Sequence, residues 1–280
     1  MIGVDNILNL LELVIFSGHV KGEQPVSVLL TASVEAGKTE LVLKFVQNDG
    51  CVALTDATAF GIMRDYGEAI KNGGIRHIII PDLIKPMSRG KDTVHTLIAF
   101  LNSLIEEGVY RVSTYAEKIG APLQGTVGVQ PIPVNCGLIT TLARGILLDG
   151  RRYWSQMGFM SRLLPISYDY GANTQLQIQK SIASRQYLSE QPIRLKLPTV
   201  DMEVKLQQPE ANDLAMLSQG LTAIVTKNSP ERVYGFRLQK HLQRLTMASA
   251  LKNGRDFVTK NDVDYINSLA GCINLEYYPL

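Results

Sequence analysis

The run Ala32-Ser-Val-Glu-Ala-Gly-Lys-Thr39 constrains this chain more than any other segment. An apolar stretch, residues 26–30, precedes it, and a helix-like stretch, residues 40–45, follows it. Strand, glycine-bearing loop and helix in that order are the setting in which a Gly-Lys-Thr sequence becomes a Walker A phosphate loop. Successive backbone N–H groups at Ser33, Val34, Glu35, Ala36 and Gly37 can then surround phosphate oxygens, with Glu40 just beyond. Lys38 would reach the β- and γ-phosphates of ATP, and the Thr39 hydroxyl would hold Mg²⁺. Ala32 stands where the motif commonly has its first glycine. The competing reading, a chance Gly-Lys-Thr in a surface loop, leaves the matching flanks unexplained.

A second acidic strand end supports the first motif. Arg76-His-Ile-Ile-Ile-Pro-Asp82 is three isoleucines followed by an acid, the pattern of a Walker B strand. Asp82 would then sit near the metal or accept from a metal-bound water. Hydrolysing relatives usually place a glutamate directly after that aspartate, and here the position is Leu83. Leucine neither takes a proton nor orients a water. Glu35, Glu40 and Asp56 are candidate substitutes; otherwise turnover is slow or absent.

Alternating short apolar runs and helical patterns extend through the first two-thirds of the chain, the signature of a mostly parallel sheet with crossover helices. The expected strands are residues 26–30, 51–54, 77–80, 137–141 and 165–170. The clearest helix is residues 92–107, with Val94, Leu97, Ile98, Leu101, Leu104 and Ile105 at three- and four-residue spacing and Gly108 as its stop. Residues 109–130 read as a hairpin insertion, and residues 193–197 and 202–206 as a second hairpin. Helices follow over 239–251 and 261–270, the latter with Thr259 as N-cap. The polar Gln207-Gln-Pro-Glu210 suggests a boundary between a core, 1–207, and a helical part, 208–280.

Composition narrows the setting. Twenty-eight Lys and Arg against 26 Asp and Glu give a net charge of +2, so the chain is not a uniformly basic nucleic-acid binder, although a local basic groove is compatible with it. Apolar residues at 45% and charged residues at 19% exclude a disordered chain. Cys51, Cys136 and Cys272 form no CxxC pair, which argues against a disulfide framework or zinc ribbon and fits a reducing, cytoplasmic setting. The apolar residues 7–16 are interrupted by Asn9 and Glu12 and read as a packing helix, not as a signal or membrane span.

The order of these features resembles an AAA+ ATPase: Walker A, Walker B, helix, hairpin, a further strand, then Gly158-Phe-Met-Ser-Arg-Leu-Leu-Pro165 and a helical lid. It is most similar to the AAA+ module of minichromosome-maintenance (MCM)-like helicases, including compact versions in mobile elements, over roughly residues 26–266. The resemblance implies an α/β P-loop core with a small helical lid, binding ATP and Mg²⁺ between subunits of a ring or helical homo-oligomer that acts on DNA. Further domains, if any, are then expected on a partner protein. The strand Cys136-Gly-Leu-Ile-Thr-Thr141 takes the sensor 1 place, with Thr140 or Thr141 as its polar residue; the family's asparagine is absent from it. Ser161-Arg162 resembles the arginine-finger segment, and Arg162 would neutralise γ-phosphate charge on a neighbouring subunit. Gly235-Phe-Arg-Leu-Gln-Lys-His-Leu-Gln-Arg-Leu245 resembles the sensor 2 helix, with Arg237 contacting the phosphates and Arg244 on roughly the same face. The insertion at 109–130 lies where the family's pore hairpin touches DNA, which implicates Lys118 at its tip and Arg111 on its flank as phosphate contacts. A solvated turn explains Lys118 equally well. A scaffold that binds ATP and assembles with little hydrolysis is the alternative that Leu83 favours.

Overall fold

The computed structural model describes residues 1–109, 135–226 and 234–275. Val28–Ala32 (β1), Cys51–Ala53 (β2), His77–Ile80 (β3), Gly137–Ala143 (β4) and Leu164–Ser167 (β5) form one sheet in the order β2-β3-β4-β1-β5. Every neighbouring pair is parallel. β1 and β3 are buried along their whole length, as strands covered on both faces must be. Residue by residue the strands feed two cores. Leu29, Ile78, Ile80, Leu138 and Leu142 point to one face, and Val28, Leu30, Ile79 and Ile139 to the other, the two-residue alternation of a pleated strand.

Helices close both faces. Ala59–Lys71 (α3), with Thr58 as its N-cap, and Lys91–Asn102 (α5) cover the first. Asp5–Ser17 (α1) and Lys38–Leu43 (α2) cover the second, together with Leu238, Leu242 and Leu245 of Phe236–Lys252 (α9) and Val263 and Ile266 of Lys260–Leu269 (α10). Three further helices, Ile84–Met87 (α4), Arg144–Gln156 (α6) and Ala172–Ala183 (α7), precede Gln208–Thr226 (α8). The stripe expected over residues 92–107 is helical throughout, but its last turn, Ser103–Glu107, widens to a π-helix closed by a 2.6 Å bond from Gly108 N to Ser103 O. Gly108 leaves that turn at φ 85°, where a side chain would be strained. α10 opens with the reciprocal cap that Thr259 foreshadows: Asp262 Oδ2 accepts from Thr259 N at 2.9 Å.

The second hairpin is a correction. Residues 193–206 are extended but do not pair with each other. Met202 bridges in parallel to Val20, Lys205 to Phe257, and Ile193 N donates to Lys44 O at 2.9 Å. Period-two patterning marks an extended, half-buried segment and leaves its partner unspecified. Here Ile193, Leu195 and Leu197 pack as a strap against the core beneath α2. Apart from Val109, the predicted 109–130 hairpin, and with it Arg111 and Lys118, lies outside the described residues. No helix among the described residues is long and apolar enough to cross a membrane.

Candidate functional site

Parallel order places the C-terminal ends of β1, β3 and β4 side by side, and the candidate residues extend from these ends. Past Ala32 the loop turns through Glu35 at φ 63° and Gly37 at φ 75° before α2 begins at Lys38. The Lys38 ammonium donates to Ser33 O at 2.7 Å and Ala32 O at 3.3 Å, so it curls over the loop's own concave side. Burial lowers its pKa, as does Arg144, while Asp82 and Glu40 pull it back up. Lys38 and Asp82 therefore share one electrostatic site. Val34 is exposed.

Thr39 reaches the second motif directly, its hydroxyl donating to Pro81 O at 3.4 Å. The Asp82 carboxylate accepts from Ile84 N at 3.1 Å, which fixes it at the start of α4. Thr141 lies on β4 beside the same point, donating to Pro81 O at 2.7 Å, while Thr141 O accepts from Leu83 N at 3.1 Å. The Thr39 and Thr141 hydroxyls thus converge on Pro81 O, the residue before Asp82. The Thr141 proton, however, is committed to a backbone carbonyl. Thr140 is fully buried and donates to Ile80 O, so it belongs to the sheet. Leu83 is completely buried in the core under α3 and α5. Of the substitute acids, Asp56 is paired with Arg89, and Glu40 is close enough to raise the pKa of Lys38.

Metal fit follows from the donors present. Among the described residues no three His, Cys, Asp or Glu side chains gather as a metal cage. One hydroxyl and one carboxylate beside a phosphate loop suit Mg²⁺, which keeps most of its waters and takes phosphate oxygens as ligands.

Four residues here escaped sequence reading. Tyr168 and Tyr170, beyond β5, both donate to Ala36 O, at 2.6 and 2.9 Å, and pin the loop from outside. Arg144, the first residue after β4, pairs with Asp169 at 2.6 Å, and Ser33 Oγ donates to the other oxygen of that carboxylate at 3.4 Å. Tyr168, Asp169 and Tyr170 fall in the run read as strand 165–170, which in the structure ends at Ser167, and Arg144 follows the run read as strand 137–141; their convergence depends on strand order, which no local pattern encodes. A cavity of about 700 Å³ opens beside the loop, lined by Ala36, Gly37, Glu40, Tyr170, Ile182 and Tyr187 among others.

Arg162 and Arg237 form a separate group. Arg162 lies in the turn Met160–Arg162. Its Nε is 2.7 Å from Glu106 Oε2, and its Nη2 is 2.6 Å from Glu107 Oε1. Arg237 Nε donates to Glu106 Oε1 at 2.8 Å, and its Nη1 to Ser161 Oγ at 3.0 Å. One carboxylate therefore holds both arginines, one on each oxygen. The π-turn presents Glu106 and Glu107 to them, a common use of such turns. Gly158 at φ 68° makes room: a Cβ there would lie 2.6 Å from Arg162 Nη1, which instead donates to Gly158 O at 2.9 Å. Arg244 is anchored nearby to Glu23 and Gln24. His241, buried within this cleft, has its pKa pushed down to about 3 by burial and by Arg244. Among the described residues, the side chains paired with Arg162 and Arg237 differ from those around Lys38, and the two arginines share Glu106.

This five-stranded parallel sheet with helices on both faces is an α/β fold. No protein-family model matches the chain, and no curated protein matches it. Among solved structures it is similar to a full-length MCM homolog from Methanopyrus kandleri, with a TM-score of 0.53 and 14% identity. The match covers 100% of this chain and 57% of that one, so the chain spans little more than half of its neighbour's length.

Proposed function

We propose that the chain is an AAA+ ATPase module that binds ATP and Mg²⁺ at the junction between two copies of itself and drives a DNA-acting motor or loader. The carrying observation is the division of the charged residues into two groups. Lys38, Thr39 and Asp82 assemble around one phosphate loop, whereas Arg162 and Arg237 are held on Glu106 and paired, among the described residues, with Glu107 and Ser161. A finger and a sensor arranged this way act on a neighbour's nucleotide. In this reading Ser33 to Gly37 cradle the phosphates, Lys38 binds their terminal oxygens, and Thr39 and Asp82 hold the metal. The base occupies the cavity beside Tyr170. Residues 1–207 are the core and 208–280 the lid. DNA would meet the ring through Arg111 and Lys118, and partner proteins would supply other domains. The likeness in fold to the MCM homolog supports this reading.

Leu83 favours a second reading, an ATP-dependent scaffold with little turnover, because its buried side chain leaves no acid directly after Asp82. Sedimentation of the full chain with and without ATP·Mg²⁺, together with phosphate release with and without DNA, separates the two. Assembly with DNA-stimulated release that is lost in Lys38→Ala supports the motor. Assembly without release supports the scaffold. Absence of both binding and assembly defeats either reading. Mixing Lys38→Ala with Arg162→Ala chains tests the shared site directly, since activity should return only where one chain's loop meets the other's arginine.

A further inference from the structure

Two tyrosines beyond β5 converge on one atom of the phosphate loop, and the motifs do not account for them. β5 runs beside β1 with Thr31 in register with Ser167, so the chain past β5 passes alongside the loop that leaves β1. Tyr168 and Tyr170 are two residues apart and turn to the same side, as an extended segment requires. Their rings pack edge to face with centroids 5.4 Å apart. Both hydroxyls donate to Ala36 O, at 2.6 and 2.9 Å, so both lone pairs of that carbonyl are taken. Burial pushes both phenols up, which keeps them protonated and donating. Ala32 O and Ser33 O, by contrast, accept from Lys38. A trans peptide is planar, and its C=O and N–H point in opposite directions. With Ala36 O turned to the tyrosines, the N–H of Gly37 is turned away from them and into the loop. Glycine does not hold that orientation by itself. Gly37 sits at φ 75°, and a residue without Cβ takes the opposite sign of φ about as readily. Rotation of this one peptide would turn the carbonyl inward and the N–H outward.

We propose that Tyr168 and Tyr170 are positioning residues for the phosphate loop: by holding Ala36 O outward they set the Gly37 N–H as a phosphate donor before any ligand arrives. The proposal rests on the reading of residues 32–39 as a nucleotide site. A reversed peptide opposes an anion twice. It puts the negative end of the carbonyl where a phosphate has to sit, and it offers a further acceptor to Lys38, which already serves two carbonyls of the loop. A donor fixed in advance needs no reorganisation when the ligand binds. Ala36 is buried, so removal of both phenols would leave its carbonyl without a side-chain donor on the tyrosine side, and Lys38 is the donor on the other. The tyrosines thereby bias one peptide between two orientations that glycine alone leaves open. Because the Gly37 N–H serves the phosphate chain and not the base, the bias acts alike on every ligand that carries a diphosphate.

The test is calorimetric titration of the full chain with Mg²⁺ and either inorganic pyrophosphate or ADP. Tyr168→Phe and Tyr170→Phe keep the rings and remove one donor each. Each should weaken both ligands by about threefold, and the double variant by about tenfold, the loss expected for two neutral hydrogen bonds. Pyrophosphate carries no base, so equal losses for the two ligands separate this role from a contact between Tyr170 and the base. Amide spectra of glycine-labelled chain supply a signature that support of β5 alone would not produce. In the ligand-free double variant the Gly37 amide should move or broaden, while Gly50 and Gly73, which flank Arg76, stay in place. Unchanged affinity for both ligands in the double variant overturns the proposal, as does a loss confined to ADP or a Gly37 resonance that does not change. If the double variant does not fold, the two single variants decide, and unchanged affinity in both overturns it. Lys38→Ala marks the underlying reading: loss of both ligands sustains it. A parent chain that binds neither ligand defeats the nucleotide reading itself, whereas binding that survives intact in the double variant defeats the role of the tyrosines alone.

Discussion

Glu106 is the point at which both arginines can be released by one substitution. Glu106→Gln keeps the shape of the side chain and removes the charge between Arg162 Nε, at 2.7 Å, and Arg237 Nε, at 2.8 Å. The Glu106 side chain is 24% exposed and that of Arg162 is 15% exposed, so the pair is neither deeply buried nor free in water. Breaking a buried pair costs ~3–5 kcal/mol and an exposed one up to ~1 kcal/mol. Arg162 keeps Glu107 as a partner. Screening and that remaining partner place the expected loss at about 2 kcal/mol, roughly thirtyfold in the folding equilibrium. Urea unfolding at pH 7 measures it, and the pH dependence identifies its cause. Burial alone would raise the Glu106 pKa, but hydrogen bonding to Arg237 and the charges of Arg237, Arg162 and Lys240 hold it below its ordinary 4.5. A carboxyl depressed in the folded state stabilises fully above its unfolded pKa and loses that contribution as pH falls through the folded value. The gap between the parent chain and the variant should therefore be constant above about pH 5 and close in more acidic solution. A difference below ~0.5 kcal/mol at pH 7, the level of an ordinary surface change, would refute the clamp. So would a difference that persists unchanged into acid.

Three other outcomes follow from the same geometry. Leu83→Glu should gain no ATPase activity and should destabilise the chain by several kcal/mol, about the cost of an unpaired acid in a dry core; faster phosphate release would contradict the burial of that side chain. Gly158→Ala should leave nucleotide binding by the single chain intact but impair ATP-driven assembly, because the new Cβ takes the space of Arg162 Nη1; unchanged assembly in sedimentation would show that the finger's position is not limiting. Stability should decline as pH drops from 6.5 toward 5, above the range where carboxylates titrate, because burial lowers His19 to about 4 and His77 and His241 to about 3. Their unfolded forms take up protons that the folded chain refuses, so a urea midpoint that stays flat over that window would argue against these buried neutral imidazoles.

The parts of the fold that were legible in the sequence are those determined by local pattern. Three successive isoleucines fix β3 at 77–80, and three- and four-residue spacing fixes α5 and the turn after it. β1 is displaced by two residues from the apolar run that announced it: Val26 and Ser27 are as buried as a strand, but Val26 N donates to Ser17 Oγ and Leu138 N is taken by the Ser27 side chain instead of a backbone carbonyl. The strap at 193–206 has the alternation of a strand and the wrong partner, since alternation reports burial of one face and says nothing of the neighbour. His77 shows the same limit. It begins a strand, yet it packs against Gly137 so closely that a Cβ there would lie 2.4 Å from its ring. Only the register of β3 on β4 places the two together.

The candidate site divides in the same way. Lys38, Thr39 and Asp82 could be read from the sequence because a phosphate loop and an acidic strand end are local constellations, and the parallel order then brings the two strand ends together, with Thr39 on Pro81 and Asp82 within electrostatic reach of Lys38. Arg144 and Asp169 could not, because each is unremarkable in its own segment and acquires meaning only when β4 and β5 flank β1. Leu83 joins the two cases. In the sequence it reads as a missing glutamate, a vacancy for another acid to fill. Its complete burial changes that inference: the backbone after Asp82 directs position 83 into the core, so an acid placed there would not face the phosphates. In the ATPase reading proposed above, a catalytic base would therefore come from a different strand end or from a neighbouring chain.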